Sequence, residues 1–169
     1  GGPFLNTPLE NFENIKPKDA IKHPVWKMGK KISVDSATMF NKALEIIEAS
    51  VLFNIKSDNI EVTVHPEHII HGLVHYKDGS ILANLGFPDM ITPLSVALNW
   101  PERIDLNLKK LSLKNIGNLN FFEPDFKKFP GLKLGWQVLD SSPCSPVVLN
   151  ASNEVAVYAF LKNKVKFTD

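Results

Sequence analysis

The sequence has little cysteine, little net charge and no long apolar run. Its single cysteine, Cys144, cannot form an internal disulfide and offers no zinc-ribbon spacing. The 19 Lys and Arg residues nearly balance the 18 Asp and Glu residues, which leaves a net charge of +1. Nucleic-acid-binding domains are usually strongly basic, and a membrane-spanning helix needs roughly 20 apolar residues in a row. We therefore expect no nucleic-acid partner and no membrane span, and the cysteine content fits a reducing compartment.

Apolar residues are plentiful enough to form a folded core. They make up 44% of the 169 residues and include 11 Phe and 3 Trp, which excludes an intrinsically disordered chain. The length corresponds to about one ordinary domain. The chain starts at Gly1-Gly2-Pro3 and ends at Thr168-Asp169, where either residue would suit the N-cap of a following helix. We therefore expect both ends to be cuts within a longer protein.

The clearest helical pattern covers residues 36–54, with Asp35 or Ser36 as the N-cap. Apolar residues at helical spacing form its predicted buried face. They are Phe40, Ala43, Leu44, Ile47, Ser50 and Val51. The opposite face carries Thr38, Asn41, Lys42 and Glu45 within about 100° of arc. Two interpretations are open: a solvated surface with a Lys42–Glu45 ion pair, or a face that binds a ligand.

Alternating residues after this helix predict a small sheet. One strand is predicted over 60–64, and a hairpin with strands 69–77 and 80–86 is predicted around the Asp78-Gly79 turn. Both faces of the hairpin carry apolar residues, so we expect helices on one face and a second subunit on the other. The fold class is therefore α+β, with a small, largely antiparallel or mixed sheet and helices on one of its faces.

The remaining segments include one loop with two interpretations. Residues 23–31 have neither helical nor strand periodicity, and they combine large apolar residues with lysines. The loop is either a surface segment whose Trp26 packs on the core or a lid that closes over an anionic ligand. Further helices are predicted from Thr92 or Pro93 to about Asn99, and in two segments after residue 130.

Four histidines at positions 65, 68, 71 and 75 suggest a metal site, but their spacing argues against one. A zinc-binding helix needs histidines four residues apart, whereas the Asp78-Gly79 turn makes this segment a hairpin. On a strand, His68 and His71 point to opposite faces. A histidine metal cluster is therefore disfavoured.

A set of motifs along the whole chain resembles one enzyme family. In chain order they are Gly1-Gly2-Pro3-Phe4, His23-Pro24-Val25-Trp26-Lys27-Met28-Gly29, Lys31-Ile32-Ser33-Val34-Asp35-Ser36-Ala37-Thr38-Met39, Asn41-Lys42 with Glu45, His65-Pro66, His71, Asp78-Gly79-Ser80, Pro88-Asp89-Met90, Thr92-Pro93, Leu149-Asn150-Ala151 and Phe167-Thr168-Asp169. Together they resemble the 1-deoxy-D-xylulose 5-phosphate reductoisomerases. The resemblance implies rearrangement and NADPH-dependent reduction of 1-deoxy-D-xylulose 5-phosphate to 2-C-methyl-D-erythritol 4-phosphate, in non-mevalonate isoprenoid biosynthesis, with Mg²⁺ or Mn²⁺.

The resemblance also implies a domain organisation. It predicts most of a catalytic domain over residues 1–100, a linker over 101–129 and the truncated start of a C-terminal helical domain over 130–169. The family's N-terminal NADPH-binding domain is expected to be absent from this chain, which has no G-x-G-x-x-G motif. A homodimer is expected, in the bacterial cytoplasm rather than in a plastid-type compartment.

Individual site residues follow from the same resemblance. Ser36, Asn41 and Lys42 are expected to hold the substrate phosphate, and Glu45 to be a metal ligand that takes part in catalysis. In the loop, His23 is expected to contact substrate and serve catalysis, and Trp26 to cover the substrate. Cofactor contacts are expected from Met28, Gly29 and Met90. Two further metal carboxylates and a phosphate-binding serine are expected upstream of Gly1.

Three hypotheses remain open at this point. The chain is part of a reductoisomerase, or it is a folded module that binds substrate or dimerises without chemistry, or it is a histidine-based metal-binding protein. The strand geometry disfavours the last of these. The first two are compatible, because the chain alone is expected to be inactive even if the whole protein is an enzyme.

Overall fold

A computed structural model of the protein describes residues 2–23 and 28–169. Its helices are α1 (Pro17–Ala20), α2 (Lys30–Ala37), α3 (Phe40–Phe53), α4 (Ile91–Asn99), α5 (Leu113–Ile116), α6 (Leu134–Leu139) and α7 (Ser145–Leu161), and its strands are β1 (Ile70–His75) and β2 (Ile81–Leu85). Short 3₁₀ segments lie at Gly2–Phe4, Leu9–Asn14, Ser57–Asn59 and Pro130–Lys133. The predicted α+β class is confirmed. Within the described ranges, no helix has the length and apolar character needed to cross a bilayer.

The chain divides into two compact units. Unit 1 comprises Gly1–Val62 and Glu123–Asp169, and unit 2 comprises Thr63–Phe122. The predicted domain boundaries at 100 and 129 stay a prediction.

The predicted helix over 36–54 is wrong in its first turn. The backbone is broken at Met39, which adopts a left-handed conformation with φ 60° between α2 and α3. Asp35 and Ser36 therefore lie inside α2 and cap neither helix. The amide of Phe40 instead donates to Thr38 Oγ1 at 3.3 Å, and the Thr38 hydroxyl lies within bonding distance of the Val34 carbonyl at 3.1 Å.

The core of unit 1 joins the helices to a cluster of aromatic rings. Phe12 contacts the rings of Phe4, Phe129 and Phe167 at centroid distances of 6.2, 5.8 and 5.7 Å. Phe160 of α7 joins the same cluster through Phe167. The described N-terminal residues are thereby packed against the end of the chain in one apolar core.

The buried face of α3 is set by a close approach of α6. A Cβ atom added to Gly135 would lie 2.7 Å from the carbonyl oxygen of Ala43, so the helices touch where Gly135 has no side chain. Phe40, Ala43 and Ile46 are buried on this side. Val51, predicted to be buried, is exposed, and the close contact with α6 lies at Ala43, two helical turns earlier.

Unit 2 contains the predicted hairpin. β1 and β2 pair antiparallel, with His75 opposite Ile81 and Val74 opposite Leu82. Gly79 turns the chain with φ 88°, a conformation that favours glycine. The register shifts between Ile70 and Gly72, so strict alternation stops there. The strand predicted over 60–64 is reduced to a single bridge between Val64 and Phe122.

Candidate functional site

The outer face of α3 brings together an ammonium, an amide and a carboxylate. Lys42 Nζ lies 2.6 Å from Glu45 Oε2, and Asn41 Nδ2 donates to Glu45 Oε1 at 3.4 Å. The side chains of Lys42 and Glu45 are 42% and 50% exposed. A ligand can therefore reach both charges, which in this structure neutralise each other.

This face is held in place by the opposite side of the same helix. Ala43 lies between Lys42 and Glu45 in sequence, and its backbone is in contact with α6 at Gly135. Because α3 cannot rotate without breaking that contact, the three polar side chains start from a backbone of fixed orientation. Binding groups on a rigid element are positioned more accurately than groups on a loop.

Ser36 lies before this face in the chain, on the other side of the break at Met39. It is buried in the last turn of α2, and its carbonyl accepts the amide of Met39 at 3.2 Å. Gly2 packs directly on this turn, because a Cβ atom there would lie 2.9 Å from Ala37 Cα. Residues 36 to 42 thus combine a close backbone contact and a left-handed residue, features that often mark functional segments.

The other predicted site residues lie elsewhere in the described parts. Met28 is partly exposed, and Gly29 is the N-cap of α2, with open space where its Cβ would be. Met90 is the exposed N-cap of α4 in unit 2. His23 lies within the described residues and makes a contact there. Trp26 and the centre of its loop lie outside the described residues, so the lid prediction stays a prediction.

Glu45 is the candidate metal ligand on the outer face of α3. In the part that the structure describes, no three His, Cys, Asp or Glu side chains are grouped as for a metal ion. Glu45 supplies one accessible carboxylate, and oxygen ligands of this kind suit Mg²⁺ and Mn²⁺. The residues present therefore fit one position in the coordination of a hard cation.

Sequence reasoning missed one buried polar group next to the site. The side chain of Asp35 is completely buried, lies 2.7 Å from Lys31 Nζ and accepts a hydrogen bond from Asn153 Nδ2 at 2.9 Å. The spacing of Lys31 and Asp35, one helical turn apart, was a usable signal for the ion pair. No local signal indicated Asn153, which is 118 residues away.

His65 makes structural contacts in unit 2. His65 Nδ1 lies 2.9 Å from the Asn120 carbonyl oxygen and 3.0 Å from Glu67 Oε2, and its ring stacks on Phe121. The hydrogen bond from the Asn120 side chain lowers the pKa of Glu67, and burial lowers the pKa of His68. These contacts favour a structural role for the segment around His65.

Two family models match this chain. Residues 85–169, about half of it, match the model described as DXP reductoisomerase C-terminal domain. Residues 1–53 match a model described as 1-deoxy-D-xylulose 5-phosphate reductoisomerase C-terminal domain.

Curated relatives match along the whole chain. The 1-deoxy-D-xylulose 5-phosphate reductoisomerase of Prosthecochloris aestuarii is 53% identical over 169 residues, which are 100% of this chain and 44% of the relative. The protein of the same name from Pseudomonas syringae pv. tomato is 52% identical, with 100% and 43% covered. The chain thus spans less than half the length of these relatives.

Solved structures agree with the sequence matches. A crystal structure of DOX-P reductoisomerase with NADPH, fosmidomycin and magnesium has a TM-score of 0.94 at 47% identity, and the match covers 99% of this chain and 41% of that one. The Zymomonas mobilis 1-deoxy-D-xylulose 5-phosphate reductoisomerase with NADPH has a TM-score of 0.91 at 44% identity, with 100% and 43% covered.

Proposed function

Because this chain belongs to the DXP reductoisomerase family, we propose that it carries the phosphate site and one metal ligand of such an enzyme. The reaction is the rearrangement and NADPH-dependent reduction of 1-deoxy-D-xylulose 5-phosphate to 2-C-methyl-D-erythritol 4-phosphate in isoprenoid biosynthesis. The observation that carries the proposal is the close grouping of Asn41, Lys42 and Glu45 on the outer face of α3.

The phosphate site is assigned to Ser36, Asn41 and Lys42. Asn41 and Lys42 lie in the first turn of α3, where amide groups and the helix dipole favour an anion. An ammonium adds a charge-assisted hydrogen bond to a phosphate oxygen. In this proposal Lys42 exchanges its contact with Glu45 for one with the substrate phosphate.

Glu45 is assigned to the divalent cation, Mg²⁺ or Mn²⁺. When bound, such an ion supplies a Lewis acid that polarises the oxygens of the substrate. Glu45 lies one helical turn from Asn41 and three residues from Lys42, so α3 presents its anion-binding and cation-binding groups side by side. This matches a small substrate that carries a phosphate and oxygens able to bind a metal.

The remaining assignments concern the substrate loop and the cofactor. His23 would contact the reacting sugar and Trp26 would cover it, while Met28, Gly29 and Met90 would contact NADPH. Excluding water and fixing the hydride donor against the substrate are the contributions expected from such residues. The family match supports this set, and each member awaits its own variant.

The proposal extends to assembly and location. We expect a homodimer in the bacterial cytoplasm, with the hairpin of unit 2 at its interface. The exposed pair Val74 and Leu82 on one sheet face supports this, because contiguous exposed apolar surface marks interaction sites. The 169-residue chain alone is expected to fold, dimerise and lack turnover.

The test is turnover by the full-length gene product. We expect NADPH oxidation that requires both 1-deoxy-D-xylulose 5-phosphate and a divalent cation. Glu45→Gln should abolish it while changing the free energy of unfolding by only about 0.5 kcal/mol, because just a surface ion pair is lost. Glu48→Gln, a matched change one turn further along α3, should leave turnover intact. Near-normal kcat in Glu45→Gln would refute the metal assignment.

A further inference from the structure

Asp35 is a buried charge that the proposed reaction does not use. Its side chain is 0% exposed, and Oδ1 accepts a hydrogen bond from Asn153 Nδ2 of α7 at 2.9 Å. Oδ2 lies 2.7 Å from Lys31 Nζ and has no hydrogen-bond partner besides this ion pair among the described residues. One oxygen is therefore tied to another helix, and the other is compensated by charge.

A buried carboxylate paired with a half-exposed lysine adds little to the free energy of unfolding. Removing a carboxylate from water costs more than an exposed ion pair returns, and apolar replacements of buried ion pairs are often neutral or stabilising. The Lys31 side chain is 39% exposed, so the pair is not fully dry. The better-supported advantage of a buried polar contact is that it allows only one relative placement of the helices that it joins.

The hydrogen bond between Asn153 and Asp35 holds the turn of α2 that carries Ser36, a proposed phosphate contact. Asp35 directly precedes Ser36, and both belong to the last turn of α2. Gly2 packs on Ala37 from another direction, so this turn is fixed on two sides. A shift of α2 along α7 would move Ser36 directly, whereas Asn41 and Lys42 belong to α3, beyond the Met39 break.

We propose that Asp35 is a positioning residue of the phosphate site, held by Asn153 of α7 and neutralised by Lys31. The inference rests on the proposed function, because it assumes that Ser36 contacts the substrate phosphate. Lys31 has a second consequence: without it, the buried carboxylate would repel a phosphate bound near the adjacent residue. Asn153 thus becomes a determinant of phosphate binding from a different helix.

The experiment uses the full-length gene product and inorganic phosphate as a competitive inhibitor, which probes the anion site alone. Asn153→Ala should raise the inhibition constant of phosphate and the KM about tenfold, the scale of a lost hydrogen bond to a charged group. We expect kcat at saturating substrate to stay within about threefold. Ser152→Ala, at an exposed position of α7, is the matched control and should leave the inhibition constant, the KM and kcat unchanged.

Exchanging the two side chains tests the hydrogen bond between Asp35 and Asn153 itself. Asn153→Asp should be worse than Asn153→Ala, because it places two carboxylates against each other. Combining it with Asp35→Asn restores one amide and one carboxylate at the contact and should recover phosphate inhibition to within about threefold of wild type. If the exchange recovers the melting temperature but not phosphate inhibition, the contact is only structural and the proposal is overturned.

Failure of this inference is distinguishable from failure of the proposed function. If Lys42→Ala leaves phosphate inhibition unchanged, the phosphate site itself is wrongly assigned. If Lys42→Ala weakens phosphate inhibition but Asn153→Ala lowers the melting temperature alone, the site stands and Asp35 has no positioning role. Asn153→Ala keeps the test decisive even if Asn153→Asp fails to fold.

Discussion

The two units of the chain bury their side chains to very different extents. In the described ranges, every buried hydrophobic residue belongs to unit 1, from Phe4 to Phe160. Unit 2 consists of a two-stranded hairpin, short helices and loops, and its large apolar residues remain half-buried or exposed. On α4 and after it, Leu98 and Trp100 are 84% and 74% exposed.

This difference in burial indicates that unit 1 is rigidly packed, whereas unit 2 exposes apolar surface that a partner could cover. Unit 1 has the packing that fixes the outer face of α3, so it can hold binding groups in place. An isolated hairpin is marginally stable in water, and unit 2 has little core of its own. We infer that unit 1 carries the proposed phosphate and metal groups, whereas unit 2 contributes apolar surface for association.

The largest effect is expected from a charge on the exposed sheet face. If a second subunit covers Leu82, Leu82→Asp places a carboxylate in an apolar interface and should dissociate the dimer. Light scattering at tens of micromolar measures the result. Lys77→Asp at the hairpin tip is the control and should stay dimeric. A wild-type protein that is already a clean monomer would show that this face has no such partner.

A smaller effect is expected from overpacking in unit 1. Gly135→Ala introduces a Cβ atom 2.7 Å from the Ala43 carbonyl oxygen, so α6 must move away from α3. We expect a loss of about 1–3 kcal/mol in the free energy of unfolding. Gly86→Ala would place its Cβ atom 3.9 Å from His71 Cδ2, an ordinary contact, and should stay within about 0.5 kcal/mol. Equal losses in chemical denaturation would contradict the contrast in packing.

The smallest effect is a pH dependence in unit 2. Asn120 donates to Glu67 and lowers the pKa of that carboxyl group below its ordinary value. The unfolded chain then binds more protons in acid, so this stabilisation is present above the ordinary pKa and is lost as pH falls through the lowered one. Glu67→Gln should flatten this part of the acid unfolding profile, whereas Glu102→Gln should not. An unchanged profile would show that the contact contributes nothing.

Features of the fold and the site were predictable from the sequence where the residues that determine them lie close together in the chain. The hairpin was predictable because Asp78-Gly79 is a turn signal of two adjacent residues. Asn41, Lys42 and Glu45 were predictable as neighbours because a single helix sets their spacing. In both cases the relevant residues lie within one element.

Determinants that depend on tertiary packing were missed. The helix α2 shows no amphipathic pattern because it buries Ser33, Asp35 and Ser36 while its large apolar residue Ile32 is exposed. The break at Met39 uses a left-handed conformation that a methionine does not signal. The contact between Asp35 and Asn153 joins residues 118 positions apart, so no local pattern could predict it.

The central claim is that Asn41 and Lys42 on α3 recognise phosphate, and ligand discrimination tests it most directly. The measurement compares the dissociation constants of a phosphate ester and of its phosphate-free analogue in wild type, Asn41→Ala and Lys42→Ala, with Lys56→Ala as control. We predict that Lys42→Ala weakens binding of the ester by about 1.5–3 kcal/mol, the range for a charge-assisted hydrogen bond. Asn41→Ala should weaken it less, and neither change should affect the analogue. Equal losses for both ligands would contradict the account.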